Sequence, residues 1–279
     1  MSRPTHAPAL GGEQVEGYHA VRELLSAGRR RARRLWLAAP ERRPAHLVEL
    51  AHLADAARVP VQWRSPEALV SVARTSAPQG AVAWAEPVKA TPLEQMFAGP
   101  VPFLVLLDGV TDPGNFGSIL RSAACAGATG VVTTRHRAAP LTPAAVKAAA
   151  GAVEHVALAV APGAPAALAE MARAGLWSVG LAADGPEDLW ALGLLERPLT
   201  LVLGGEGSGL SSLSRRRCDV VARVPQVGPL SSLNVSVAAA LACFEVARRR
   251  AGGPLGRPHS GGRPGPSSVR AKGGAGPLC

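Results

Sequence analysis

The chain has 279 residues, of which 47% are apolar, and it carries a formal net charge of +10. This length allows two domains of ordinary size, and the apolar content excludes a chain that is disordered throughout. Only three of the 30 basic residues are lysine; the arginine excess suits bidentate contacts to phosphate and indicates a polyanionic partner. The alternative is a GC-rich genome, which raises arginine, alanine, glycine and proline together.

Residues 1–13 are predicted to be a disordered leader, and residues 14–88 a small α/β domain. Apolar spacing predicts helices over Val15–Ala27, Ala45–Ala57 and Pro66–Arg74. Short apolar and aromatic runs predict strands over Leu35–Ala38, Val61–Trp63 and Ala81–Ala85. A proline-rich linker over residues 89–100 then ends this domain.

Residues 101–250 contain regular apolar bursts with helical segments between most of them: FLVLLDG, GVVTT, EHVALAV, WSVGLAA, LTLVLGG and DVVARVP. This alternation is typical of a parallel sheet covered on both faces, so the predicted fold class is α/β. Such sheets bind ligands at the carboxyl ends of their strands, where polar and glycine-rich stretches follow here. Residues 251–279, rich in glycine and proline and without acidic side chains, are predicted to be a disordered basic tail.

Four cysteines are scattered along the chain: Cys125, Cys218, Cys243 and Cys279. They form no C-x-x-C pair and have no histidine at metal-ligand spacing, which predicts a reduced, cytoplasmic protein without a metal site. The longest apolar run, Val235–Ala247, is too short to span a membrane, and the N-terminus lacks an apolar signal core. No membrane partner is therefore expected.

The stretch LVLGGEGSGL places Gly204 and Gly209 at the spacing of a phosphate-binding P-loop. Leu210 and Ser211 stand where a P-loop has lysine and serine or threonine, which argues against that loop. The glycines do not fit a Rossmann fingerprint either. What remains is a turn that allows close approach of the backbone to a ligand, or a plain turn with a solvated Glu206.

The stretch DPGNFGSILRSAACAGA predicts a turn followed by a helix that Asn115 caps. Gly117 permits close approach, and Arg121 would lie in the second turn of the helix. The helix dipole disfavours an arginine near a helix start, which indicates that Arg121 holds an anion such as an RNA phosphate. The alternative is a surface arginine whose aliphatic stem covers the sheet.

The stretch GPLSSLNVSVA places Ser231, Ser232 and Asn234 before the most apolar helical run of the chain. Serine and asparagine are preferred helix caps, and a helix start also binds the polar end of a ligand. These residues alone leave both roles open.

Three segments, in this order, resemble the SpoU branch of the SPOUT RNA 2′-O-methyltransferases. They are Asn115-x-Gly117-x-x-x-Arg121, Gly204-Gly205-Glu206-Gly207-x-Gly209-Leu210, and Pro225 followed by Ser232-Leu233-Asn234-Val235-Ser236. A fourth stretch resembles the family's K-A-S-A-G-A-x-E, through Lys147, Gly151-Ala152 and Glu154, with Ala149 in place of the serine. The N-terminal unit, through VEGYHAVRELL and APQGAVA, resembles the family's L30e-like substrate-binding domain.

The resemblance implies a C-terminal domain with a parallel sheet and a deep trefoil knot, behind an L30e-like domain. It implies S-adenosylmethionine as cofactor, an RNA partner with 23S rRNA favoured, no metal, and a homodimer in which one subunit's arginine lies near the other's cofactor. The residues implied to bind the cofactor are Ala182, Leu203, Gly204, Gly205, Gly207, Val224, Gln226, Leu233 and Asn234.

The residues implied to act in catalysis are Asn115, Arg121, Glu206, Ser232 and Asn234. Because the methyl group of a sulfonium is already activated, the protein must align the ribose 2′-OH and ease the loss of its proton. The guanidinium pKa exceeds about 12, so we expect Arg121 to orient the ribose and stabilise the developing alkoxide rather than act as a base. The other four side chains would position Arg121, the ribose and the cofactor.

The predicted function is S-adenosylmethionine-dependent 2′-O-methylation of RNA, with a guanosine of 23S rRNA as the favoured target. Methylation of tRNA, and the rRNA adenosine methylation that confers thiostrepton resistance, are alternatives because relatives with similar domains perform them. A non-catalytic RNA-binding protein of the same fold is another, against which the presence of Asn115, Arg121 and Asn234 argues. A nucleotide-binding metabolic enzyme would need fingerprints that are absent here.

Overall fold

The computed structural model describes residues 8–39 and 44–252. Residues 1–7 of the predicted leader and 253–279 of the predicted tail lie outside this range. Within the described residues the chain forms a four-stranded sheet followed by a seven-stranded sheet. No described helix is long and apolar enough to cross a membrane.

The N-terminal unit is a mixed sheet with helices around it. Its elements are β1 (Gln14–Glu16), α1 (Tyr18–Ala27), β2 (Ala32–Ala38), α2 (Ala45–Ala56), β3 (Val61–Arg64), α3 (Pro66–Val72) and β4 (Ala81–Ala85). The strand order is β1-β4-β2-β3, in which β4 is antiparallel to β1 and β2, while β2 and β3 are parallel. The separate α/β unit expected at the N-terminus is therefore present.

The helix predicted over Val15–Ala27 is wrong in its first residues, which form β1. Gly17 separates the strand from α1 with a φ of 94°, a left-handed conformation that favours glycine. Val15 is fully buried in the core, so its apolar side chain fits a strand as well as a helix face. α3 also ends before the predicted Arg74, whose backbone N–H donates to Glu16 at 2.6 Å.

The C-terminal unit is built on a wholly parallel sheet. Its elements are β5 (Phe103–Asp108), α4 (Pro113–Cys125), β6 (Gly130–Thr134), α5 (Pro143–Ala148), β7 (Ala157–Ala161), α6 (Ala164–Arg173), β8 (Trp177–Leu181), β9 (Glu187–Asp188), β10 (Leu199–Gly204), α7 (Ser212–Arg217), β11 (Val220–Arg223) and α8 (Val235–Arg250). The strand order is β7-β6-β5-β10-β8-β11-β9. The predicted α/β class with a parallel sheet is confirmed.

Burial explains which strands the sequence predicted. Every residue of β5 and of β10 is buried, because these central strands are covered on both faces, and both read as continuous apolar runs. β9 was missed because its two residues, Glu187 and Asp188, carry no apolar signal. The strand predicted from EHVALAV begins only at Ala157, since residues 152–154 form a 3-10 turn.

The predicted leader and linker pack against the two units. Leu10 donates its backbone N–H to the Val88 carbonyl at 2.8 Å, and Ala9 forms a β-bridge with Lys89. These backbone bonds order the described end of the leader, contrary to the prediction. In the linker, residues 93–97 form a 3-10 helix, and Met96 is 1% exposed within the core of the C-terminal unit. Proline content indicated a boundary, and the segment there is packed.

A buried ion pair joins the two units. Arg30, two residues before β2, reaches Glu154 with an Nη2–Oε1 distance of 2.7 Å, and both side chains are less than a tenth exposed. Arg30 Nη1 also donates to the carbonyls of Gly12 and Glu86, at 2.6 and 2.7 Å. The guanidinium is thereby held by charge and by backbone acceptors.

The rest of the stretch that ends at Glu154 also contacts the N-terminal unit. Lys147 donates to the carbonyl of Ala77. Gly151 has a φ of 91° and lies so close to α1 that an added Cβ would stand 2.4 Å from the Cβ of Glu23. One cluster of buried apolar side chains runs through both units. The stretch 147–154 therefore docks the two units onto each other.

Candidate active site

The carboxyl ends of β8, β10 and β11 and the start of α8 enclose a cavity of about 640 Å³. This volume lies within the usual range for small-molecule sites, roughly 300–1,000 Å³. The lining comes from residues 181–184, 203–210, 224, 226, 232–235 and 238, together with Arg215. The cavity lies at the strand ends where parallel sheets bind ligands.

The glycine-rich turn after β10 forms one wall, and it leaves no room for a side chain at Gly204 and Gly205. A Cβ on Gly204 would stand 2.1 Å from the carbonyl carbon of Gly209, and one on Gly205 would stand 2.3 Å from the carbonyl oxygen of Gly109. Gly205 and Gly209 exchange backbone hydrogen bonds of 3.1 and 2.9 Å across the turn. The turn is this tight at Gly204 and Gly205 because the chain crosses itself closely here, while Glu206 and Ser208 line the cavity.

Asp108, at the end of β5, fixes the exit of this turn. Its carboxylate is 6% exposed and accepts the backbone N–H of Ser211 at 3.0 Å. Ser211 in turn caps α7 by accepting the N–H of Ser214. Sequence analysis missed Asp108, although a carboxylate that ends an apolar strand run is a usable signal.

Asn115 contacts the cavity through Glu206. Asp112 caps α4 by accepting the backbone N–H of Asn115 at 2.7 Å, and Pro113 is the first helical residue. The prediction that Asn115 is the cap is therefore wrong, because proline suits the first helical position and the aspartate precedes it. The Asn115 side chain donates instead to Glu206 Oε1. This hydrogen bond connects the segment 115–121 with the glycine-rich segment 204–210.

Arg121 lies in the third turn of α4, not the second, since the helix begins at Pro113. The dipole argument for an anion-binding role loses its basis, because that effect falls off within the first turn. Arg121 is exposed, does not line the cavity, and makes no hydrogen bond or ion pair with the described part of the chain. Gly117 lets α4 approach α5, since a Cβ there would stand 2.3 Å from the Ala145 carbonyl oxygen.

The start of α8 closes the cavity. Asn234 caps the helix, with its side-chain oxygen accepting the backbone N–H of Ser236 at 2.8 Å and the hydroxyl of Ser236 at 2.6 Å. Ser232, Leu233 and Asn234 all line the cavity. Asn234 therefore both caps α8 and lines the candidate site.

The structure brings most of the implied site residues together. Every residue implied to bind the cofactor lines the cavity, namely Ala182, Leu203, Gly204, Gly205, Gly207, Val224, Gln226, Leu233 and Asn234. Of the implied catalytic residues, Glu206, Ser232 and Asn234 line it, Asn115 reaches it through Glu206, and Arg121 stays outside.

An ion pair that sequence analysis did not identify lies on the cavity wall. Arg215 Nη1 stands 2.7 Å from Asp184 Oδ1, and this hydrogen bond holds the pKa of the Asp184 carboxyl below its usual range. Arg215 belongs to the basic run SRRR, in which no single arginine is distinguished by pattern. Nearby, burial, followed by the charges of Asp219 and Asp108, raises the pKa of the Cys218 thiol to about 12, so this thiol is not a nucleophile at neutral pH.

Two family models match the chain in agreement with this geometry. The model of the "SpoU rRNA Methylase family" matches residues 102–244, and the model "RNA 2′-O ribose methyltransferase substrate binding" matches residues 14–91. The chain belongs to the SpoU rRNA methylase family. The resemblance stated from the sequence is confirmed.

Relatives of this SpoU chain match it over most of its length. It is 39% identical over 245 residues to the 23S rRNA (guanosine-2′-O-)-methyltransferase RlmB of Pseudomonas aeruginosa, covering 85% of this chain and 97% of that protein. The Escherichia coli K12 protein of the same name is 34% identical over 242 residues, covering 85% and 99%. A solved structure of the SpoU methyltransferase AviRb from Streptomyces viridochromogenes, in complex with the cofactor AdoMet, superposes with a TM-score of 0.73 at 27% identity, covering 86% and 91%.

The cavity of this SpoU methylase fits S-adenosylmethionine. The turn that forms one wall packs so closely on the chain's own backbone that a Cβ on Gly204 or Gly205 would collide with Gly209 or Gly109. Leu181, Leu203 and Leu233 supply apolar surface for a flat ring, and polar backbone groups surround them. Among the described residues, no group of three or more His, Cys, Asp or Glu could hold a metal ion.

Proposed function

We propose that this chain transfers a methyl group from S-adenosylmethionine to the ribose 2′-OH of a guanosine in 23S rRNA. The observation that carries the proposal is that residues 204–210 and residues 232–235, which come from two of the three resembling segments, line one cavity. The remaining segment, which begins at Asn115, is bonded to this cavity through Glu206. The relatives that cover 85% of this chain are named 23S rRNA (guanosine-2′-O-)-methyltransferases, which supports guanosine over the alternative targets.

The bound cofactor supplies a methyl group already activated on a sulfonium. The protein's own task is alignment and charge stabilisation. The turn over 203–210 and the start of α8 fix the depth of the cavity, and the Asn115–Glu206 bond fixes a carboxylate at its wall. Asn234 is oriented by its oxygen, which caps α8, and its side-chain N–H₂ makes no hydrogen bond within the described residues, so it can donate to a ligand.

We infer that two copies of the chain form the working unit. Arg121, implied to act on the ribose and an RNA phosphate, does not reach the cavity of its own chain. On α8, which packs against α4, Val237, Leu241 and Phe244 are 47%, 40% and 41% exposed. These residues follow the i, i+4, i+7 spacing of one helix face, and such an exposed apolar face is typical of a self-complementary interface. A dimer through this face would bring the arginine of one subunit to the cavity of the other.

The trefoil knot and the cytoplasmic location belong to the same proposal. The close crossing of Gly204 with Gly209 and Leu210, and the return of the chain from β11 to pack α8 on α4 and β10, support a threaded C-terminal end. Free thiols at Cys125, Cys218 and Cys243 support a reducing compartment.

Mapping ribose methylation in RNA from a strain that lacks the protein tests the function. One guanosine of 23S rRNA should lose its 2′-O-methyl group and regain it on complementation. Loss at a tRNA nucleotide or at an rRNA adenosine would replace the proposed target with one of the alternatives. An unchanged map, with purified protein that transfers no tritiated methyl group to rRNA fragments, would favour the non-catalytic RNA-binding protein.

A further inference from the structure

One face of the N-terminal sheet carries tryptophans and arginines side by side. Leu35 and Leu37 of β2 are fully buried in the core with the residues of α1 and α2. Because side chains alternate along a strand, Arg34 and Trp36 lie on the opposite face. Trp84 of β4 and Arg64 of β3 contact this pair there.

The strand register explains this arrangement. Arg34 stands directly opposite Trp84 in the β2–β4 pair, and the guanidinium carbon of Arg34 lies 4.1 Å from the Trp84 ring centroid and 5.7 Å from that of Trp36. Arg64 lies 5.0 Å from the Trp36 ring centroid, and the two indoles meet edge to face at 5.3 Å. We call Arg34, Trp36, Arg64 and Trp84 the stacked face.

The stacked face carries positive charge without a carboxylate partner. Neither Arg34 nor Arg64 forms an ion pair within the described residues, and Arg64 donates only to Gln62, at 2.8 Å. Both arginines are exposed, and both tryptophans are partly exposed. The Trp36 indole N–H is covered and has no acceptor in the described part of the chain, which is unfavourable for stability. Contributions to folding alone therefore explain this cluster poorly.

We propose that the stacked face binds unpaired RNA, with bases stacking on the guanidinium and indole planes and phosphates attracted by the arginine charges. Unpaired nucleotides expose base faces that stack on aromatic rings and arginine planes, whereas duplex RNA hides them. This inference rests on the proposed function, which gives the protein an RNA substrate. It adds a contact on the N-terminal unit, on residues that do not line the cofactor cavity.

The test uses the full chain with Arg34 and Arg64 both changed to lysine. Lysine keeps the charge and loses the plane, so the double variant separates stacking from electrostatic attraction. Fluorescence anisotropy with a labelled single-stranded oligouridylate should show affinity lowered by at least about fivefold, with the slope against salt unchanged. Affinity for a duplex RNA of the same length and for S-adenosylmethionine should match the parent. Arg173→Lys, on the exposed side of α6, is the matched control and should bind as the parent does.

Parental affinity for oligouridylate in the double variant would overturn the proposal, and so would an equal loss for single-stranded and duplex RNA. A change in the oligomeric mass of the variant would also overturn it, because the face would then be an interface between copies. If the double variant fails to fold, photo-crosslinking of 4-thiouridine RNA to the parent protein decides: crosslinks on peptides of β2 or β4 support the proposal, and their absence overturns it. The proposed function survives any of these failures if methyl transfer to rRNA persists.

Discussion

Arg121 is exposed on α4 and makes no described contact in its own chain, so its removal should leave the fold and the cavity intact. Arg121→Ala should bind S-adenosylmethionine nearly as the parent does. Its turnover should fall by roughly 100-fold or more, the size expected when a positioned electrostatic or acid–base group is lost. Calorimetry with the cofactor and a tritium-methyl transfer assay on rRNA fragments measure the two effects. Arg216→Ala, an exposed arginine of α7, is the control, and full turnover in Arg121→Ala would refute the mechanism.

The variant Gly205→Ala tests whether the tight glycine turn over 203–210 is needed for cofactor binding. Gly205→Ala places a Cβ 2.3 Å from the carbonyl oxygen of Gly109, so the turn must move. We expect the free energy of unfolding to fall by about 1–3 kcal/mol and cofactor affinity to fall with it. Gly193→Ala is the matched control, since a Cβ there meets nothing within 4 Å. Chemical denaturation and calorimetry compare the two, and cofactor binding unchanged in Gly205→Ala would contradict the role of this turn.

The residues of the cavity could be predicted where sequence order carries the signal. Glycines directly after an apolar strand indicated the turn over 203–210, and polar residues before the most apolar helical run indicated the start of α8. Asp108 and Arg215 could not be distinguished, because their roles depend on partners that are distant in sequence. The cap of α4 was misplaced by three residues because Asn115 and Asp112 are both good caps, and only the position of Pro113 decides between them.

At the scale of elements, the first turn of α8 has two roles, because Asn234 both caps this helix and lines the cavity. Asn234→Ala removes the acceptor of the Ser236 N–H, which should cost about 1 kcal/mol of stability, and it also removes a cavity wall. Cofactor affinity and turnover should therefore fall together, unlike the result expected for Arg121→Ala. Asn234→Asp keeps the capping oxygen and serves as the control for stability. A loss of turnover in Asn234→Ala with parental cofactor affinity would count against this double role.

The buried pair between Arg30 and Glu154 connects the two units. Glu154→Gln leaves the guanidinium buried without its counter-charge, and breaking such a pair costs about 3–5 kcal/mol. Glu23→Gln, which weakens the more exposed contact to His155, should cost about 0–1 kcal/mol. Denaturant unfolding measures both variants. Equal stability of the two would show that the buried pair does not hold the units together.

Element prediction succeeded where burial leaves a regular pattern and failed elsewhere. β5 and β10 are buried on both faces and were found. β1 was predicted as the start of a helix, because a single apolar residue, Val15, cannot distinguish the apolar spacing of a helix from that of a strand. On α8 one face is exposed, with Val237, Leu241 and Phe244, and the other is buried, with Ala239, Ala242, Cys243 and Val246.

At the scale of the molecule, the exposed face of α8 predicts self-association. Light scattering at micromolar concentration should give the mass of a dimer. Leu241→Asp, which places a charge on that face, should give a monomer with reduced turnover, since each cavity then lacks the arginine of the other subunit. Val70→Asp changes an exposed valine of the N-terminal unit and should remain a dimer. A monomeric parent protein would refute the dimer.

The docking of the two units is the least predictable part of the fold. Arg30 and Glu154 are 124 positions apart, and no local pattern connects them. Proline content led us to expect a linker near residue 90, yet it gave no sign that Met96 would be buried or that a single core would extend through both units.

The position of β10 between β5 and β8 has a consequence for synthesis of the protein on the ribosome. β5, β6 and β7 are made first and can pair in order, but the inner edge of β5 stays open until residues 199–204 have left the exit tunnel. An open apolar strand edge invites pairing with other chains. The nascent C-terminal unit is therefore most exposed to aggregation between the emergence of β7 and the emergence of β10 from the tunnel, and a pause in translation in that interval would prolong the risk.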